Sequence, residues 1–133
     1  MSLLSVGKTK DTTDVMIYSP SSGEPMLNAD GSQMSITIYG PYSKKYKQIS
    51  HAQQNRRLAK AQRSGGKVNI TAEEIEASGF DILVKCVAGW NITLDKEPED
   101  FSEEKVREVF ELVPWLREEV DSAFGDTRSF LEQ

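Results

Sequence analysis

The stretch Met34-Ser35-Ile36-Thr37-Ile38-Tyr39-Gly40-Pro41 decides the fold. Its branched and aromatic residues alternate with small polar ones, the period of a strand with one buried face. A second β-prone run, Val15-Met16-Ile17-Tyr18, lies upstream. Between the two sit Ser19-Pro20-Ser21-Ser22-Gly23 and Asn28-Ala29-Asp30-Gly31, residue types that favour tight turns. The pair predicts a β-hairpin with a long connection. Gly40-Pro41 closes it, because proline disfavours helix in the residue before it and is welcome just inside a helix start.

A helix follows from Ser43, a suitable N-cap, to about Arg63, a span with no glycine or proline. Its apolar stripe is thin: Tyr46, Ile49 and Leu58, with Gln53 between. Lys44, Lys45, Lys47, Arg56, Arg57, Lys60 and Arg63 make it strongly basic, and it holds no acidic residue. Such a helix is marginal alone. Ser64-Gly65-Gly66 supplies the stop.

Thr71-Ala72-Glu73-Glu74 has the pattern of a capping box and predicts a second helix. Phe80, Leu83, Val84 and Val87 recur at helical spacing, extended by Ile75 and Ala88, so this is the expected core helix. Gly89-Trp90-Asn91 is read as its end, and Ile92 to Asp100 as a connecting loop. Ser102 caps a third helix with Glu103 and Glu104 in its first turn and a stripe of Val106, Val109, Phe110 and Val113. Pro114 interrupts, and a fourth helix carries Leu116, Val120, Ala123 and Phe124 on one face until Gly125-Asp126. In the tail, Phe130 and Leu131 are expected to cover a groove. Trp90 and Trp115 flank helix boundaries and are expected to complete the core.

The predicted fold class is therefore α+β, mainly α: an N-terminal β-hairpin followed by about four helices. A single domain is expected over 14–133. Residues 1–13, polar and without periodicity, read as a flexible N-terminal arm. A length of 133 residues suits one core, and 38% hydrophobic with 28% charged residues is the balance of a chain that folds. The net charge of -5 opposes a nucleic-acid binder. A single cysteine excludes an internal disulfide and suits a reducing compartment. Neither a signal peptide nor a membrane span is legible, so no membrane partner is expected.

Little in the sequence invites catalysis, and no catalytic residue, metal ligand or cofactor is assigned. His51 lies among Gln53, Gln54 and Asn55 and reads as a solvated helix residue. Cys86 sits in an apolar stretch and reads as core. The acids Glu97, Glu99 and Asp100 around Pro98 are neighbours in one loop rather than a pair across a cleft. Gly65-Gly66-Lys67 lacks the length of a phosphate loop. The basic helix 43–63 has two readings: contact with an anionic partner, or complementarity to the acidic half of the chain from Asp95 onward, within one subunit or between subunits.

Several segments in order resemble one family. They are Ile36-Thr37-Ile38-Tyr39-Gly40-Pro41, Gln53-Gln54-Asn55-Arg56, Ile70-Thr71-Ala72-Glu73-Glu74, Val87-Ala88-Gly89-Trp90, Phe101-Ser102-Glu103-Glu104, Pro114-Trp115-Leu116-Arg117-Glu118-Glu119-Val120 and Asp126-Thr127-Arg128-Ser129-Phe130-Leu131. Together they resemble the tail assembly chaperones of long-tailed, lambda-like bacteriophages. The resemblance implies a non-enzymatic late protein of the host cytoplasm, absent from the mature virion. It would keep the phage tape measure protein soluble, help recruit the tail tube protein, and form a homo-oligomer. Such families often use a ribosomal frameshift to make a longer product. The expected partner-binding residues are Leu116, Val120, Phe124 and Phe130 on the short terminal helix and tail, with Arg56, Arg57 and Lys60 on the basic helix. The alternatives are a structural head–tail or tail adaptor retained in the virion, and a nucleic-acid-associated regulator using the basic helix.

Overall fold

The computed structural model describes residues 3, 7–63, 65, 71–95 and 97–131. It is an α+β fold, mainly α, with four helices and a three-stranded antiparallel sheet among these residues. Strand β1, Thr12–Met16, pairs with β2, Ser35–Tyr39, from Thr12 opposite Tyr39 to Met16 opposite Ser35. This is the expected hairpin, with its first strand displaced upstream of the run 15–18 read for it, so that Ile17 and Tyr18 fall in the connection. Its long connection folds back on itself: the Ile17 amide donates to Met34 O and the Met26 amide to Ile17 O, both at 3.0 Å. Gly23 and Gly31 turn the chain there at φ of 74° and 89°, a region that glycine enters without strain. Asn28, buried, ties the second turn to the end of the sheet by accepting from Thr93 Oγ1 at 2.6 Å.

β2 is the central strand. Ile36 and Ile38 are fully buried, whereas Thr37 turns outward and donates to Asp14 Oδ1 at 2.5 Å. Helix α1, Lys44–Arg63, starts from Ser43, whose hydroxyl donates to Gly40 O at 2.7 Å and accepts the Tyr46 amide at 3.1 Å. Helix α2, Ala72–Lys85, starts from Thr71, whose hydroxyl accepts the Glu74 amide as the capping pattern predicts.

The first correction comes at the end of α2. Cys86 caps the helix, and Val87–Asn91, read as helix end and stop, is strand β3 on the free edge of β2. The cause is the open row of amides and carbonyls left on β2 after β1 has paired. Cys86 O accepts the Tyr39 amide at 2.7 Å, and β3 continues with a bulge at Thr37/Ile38. Val87 is buried in either reading, so its hydrophobicity did not discriminate between them.

The second correction concerns the arm. β1 begins at Thr12, Lys10 donates its amide to Phe130 O at 2.7 Å, and Thr9 bridges Leu131. The span 9–13 thus belongs to the folded body, while Met1, Ser2, Leu4, Ser5 and Val6 lie outside the described residues.

Helices α3, Glu103–Leu112, and α4, Pro114–Phe124, follow the expected caps and boundary, Ser102 accepting the Lys105 amide and Pro114 opening α4. A short 3-10 turn, Thr127–Phe130, ends the described chain. Ile36 and Ile38, with Val15, Ile17 and Val87, pack against Leu83 and Val84 of α2, Val106, Val109 and Phe110 of α3, and Leu116 and Val120 of α4. Trp90 and Trp115, half-buried, pack against this cluster. The core therefore lies between the sheet and helices α2 to α4, and α1 is peripheral to it.

Candidate functional site

The expected partner surface on α4 and the tail is not open. Leu116 is 5% exposed and Val120 and Phe130 are fully buried, while Phe124 is half-buried with its ring 5.5 Å from that of Tyr46. The assignment of Leu116, Val120 and Phe130 to an exposed groove is corrected: they are core. The physical reason is that the tail is pinned to the body at Lys10 and Leu131, which places Phe130 over Gly40. A Cβ on Gly40 would lie 2.5 Å from the Phe130 ring, so glycine here permits a close approach.

Arg56, Arg57 and Lys60 share the distal half of α1, whereas the ring contact of α1 with α4 is made by Tyr46 near its start. α1 is held by its first half: Ile49 is buried, Tyr46 half-buried, and Gln53 Nε2 donates to Ser78 O of α2 at 3.1 Å. Beyond Gln53 most side chains of the helix are exposed, Leu58 to 62%, while Ala59 and Ala61 are half-buried. Lys60 pairs with Glu74 at 3.9 Å, both side chains well exposed, so this contact adds little stability. Among the described residues, the ion pair that α1 makes is with α2 and not with the acidic chain from Asp95 onward.

Those acids have other partners or face solvent. Lys105 bridges Glu99 at 3.0 Å and Glu108 at 3.4 Å, and the two carboxylates raise its pKa. Asp81 of α2 is held between Arg107 of α3 and Lys85, 3.2 Å away, locking α2 to α3. Burial pushes the Asp81 pKa up, but hydrogen bonds from Arg107 and Lys85 and their charges outweigh it, and the net direction is downward.

Of the depressions in the surface that escaped the sequence reading, two combine apolar walls with exposed surroundings. One is an apolar cleft of about 110 Å³ beside the hairpin connection, lined by Ile17, Met26, Met34, Leu94, Val113, Trp115 and, at its base, Leu116. Leu94 on its wall is 37% exposed, and Leu27 and Leu112, next in sequence to Met26 and Val113, are 58% and 62% exposed. The second is a groove of about 390 Å³ between the first half of α2 and the α3–α4 corner. Three distant segments meet in the first and three helices in the second, so no local pattern announces either. The pair Met26 and Met34 was the available signal, since flexible thioethers suit adaptable binding surfaces.

The residues weighed for chemistry are scattered. His51 is exposed on α1. Cys86 is buried, and that burial pushes its thiol up to about 11 against a smaller opposing pull from Lys45. Glu97 and Asp100 are exposed, and Glu99 O accepts the Trp90 indole at 3.0 Å. Gly65 stands at a φ of 73°, a left-handed helix stop, while Gly66 and Lys67 lie outside the described residues. Among the described residues, no three His, Cys, Asp or Glu side chains converge as a metal site, and no helix is long and apolar enough to cross a membrane. Comparison with protein-family models, with curated proteins and with solved structures finds no match to this chain.

Proposed function

We propose that this chain is a phage tail assembly chaperone, a binding protein that holds the tape measure protein soluble in the host cytoplasm, helps recruit tail tube subunits, and leaves before the virion is complete. The order of segments that resemble this family suggests the reading. The observation that carries it is the apolar cleft of Met26, Met34, Leu94 and Trp115, flanked in sequence by exposed Leu27 and Leu112. An amphipathic helix presents a row of apolar side chains that aggregates when left in water. A cleft of this size takes one large side chain of such a row, the knob of a helix-in-groove contact, and methionine walls adapt to different knobs.

The test is co-expression with the tape measure protein of the same genome, followed by pull-down and sizing. A soluble complex holding several copies of the chain, with tape measure insoluble when expressed alone, is the expected result. Failure to form a complex, with the chain instead retained in finished particles, would replace the chaperone by a structural adaptor.

A further inference from the structure

We propose that the distal half of α1 in one copy docks on the acid-lined groove of a second copy, and that the chain self-associates through this contact. The groove is lined by half-buried Phe80 and by exposed Pro114, Glu73, Glu76 and Glu111, with Arg117 of α4 beside them. The distal half of α1 carries Arg56, Arg57 and Arg63, all exposed, and the helix has no acidic residue. The two surfaces are complementary in sign, and in kind as well.

An arginine lays its aliphatic stem on an apolar floor and offers a planar fork to carboxylates, which a lysine does less well. The cations of the anchored half of α1 are lysines, whereas the distal half is mostly arginine. The Phe80 ring already takes guanidinium groups, since Arg117 lies over it at 4.6 Å and Arg107 at 5.9 Å from its centroid.

A copy does not fill its own groove this way. Its α1 lies against the side of α2 marked by Glu74 and Ser78, one helical turn apart, while Glu73, Glu76 and Phe80 lie on another side of α2. The contact therefore joins two copies through unlike surfaces, which either close reciprocally or run on as a chain. This inference names the contact for the homo-oligomer that the family resemblance implies, and its test uses the chain alone, so it can fail while tape measure binding stands.

Light scattering on the purified chain at low and high salt tests it. Expected at low ionic strength is a concentration-dependent mass at least double the 14.9 kDa of one copy, falling to one copy at about 0.5 M salt, where the Debye length is only a few ångströms. R56E/R57E and E76K/E111K, on exposed helix positions, should each be folded by circular dichroism and each remain monomeric. Mixed together they should associate again, since each then offers the complement of the other. A wild-type chain that stays monomeric at low salt, variants that associate like wild type, or a mixture that stays monomeric would each overturn the proposal. So would a wild-type monomer whose α1 binds duplex DNA with a steep salt dependence.

Discussion

Helix α1 and the pair α3–α4 are almost equal in length and opposite in construction. The twenty residues of α1 bury one side chain, Ile49, whereas α3, with ten residues, buries Val106, Val109 and Phe110 and α4, with eleven, buries Leu116 and Val120. α3 and α4 are helical because their apolar stripes leave water against the sheet. α1 is helical because Ser43 caps it, no glycine or proline interrupts it, and its first half is anchored on α2 and α4. The difference separates what holds the fold from what is available to a partner.

The largest effect that would break this comparison is in α3. Phe110→Ala should cost about 3–5 kcal/mol by chemical denaturation, the usual range for emptying a buried aromatic site. A loss below about 1 kcal/mol would mean that the helical layer is not the core. Next comes Gly40→Ala, whose new methyl would press on Phe130. It should cost about 1–3 kcal/mol, the range for overpacking. The double variant with Phe130→Leu should lose less than the two single losses added, because the smaller side chain yields the space.

The α2–α3 lock sharpens the comparison through pH. The folded-state pKa of Asp81 is below its ordinary 3.8, so its ionised form is favoured in the fold. That contribution is fully present above the unfolded value and is lost as pH falls below 3.8 toward the folded one. The stability gap between wild type and Asp81→Asn should therefore be constant near neutrality and close under acid. A gap that widened as pH fell would place the partner charges elsewhere. The smallest effect belongs to α1: Arg56→Ala should change stability by no more than about 0.5 kcal/mol, since nothing is buried there.

The sequence made legible what is encoded locally. The hydroxyl caps at Ser43, Thr71 and Ser102, the proline that opens α4, and the alternation through Ile36 and Ile38 each state their structure within a few residues, and each stands where it was read. β3 was not legible, because Val87 satisfies a helical stripe and a strand face alike and only the vacant edge of β2 decides between them. The tail packs on the body as expected, but Phe130 was also read as part of an open partner surface, and that reading failed for a related reason. Nothing near Phe130 in sequence reveals that Lys10 will bind its carbonyl or that Gly40 will leave room for its ring. The proposed partner surfaces were half legible: the cations of α1 are local and were seen, whereas the Met26–Met34–Trp115 cleft exists only after three segments have met.

The central claim is that the cleft receives the tape measure protein, and one substitution on its exposed wall tests it most directly. Leu94→Glu is compared with Ile75→Glu, which places the same charge on an exposed apolar residue of α2 away from the cleft. Both are co-expressed with tape measure protein, and the amount retained in solution is measured. The account predicts that Leu94→Glu loses most of the soluble tape measure while remaining folded, and that Ile75→Glu retains it. Equal retention by the two variants would contradict it.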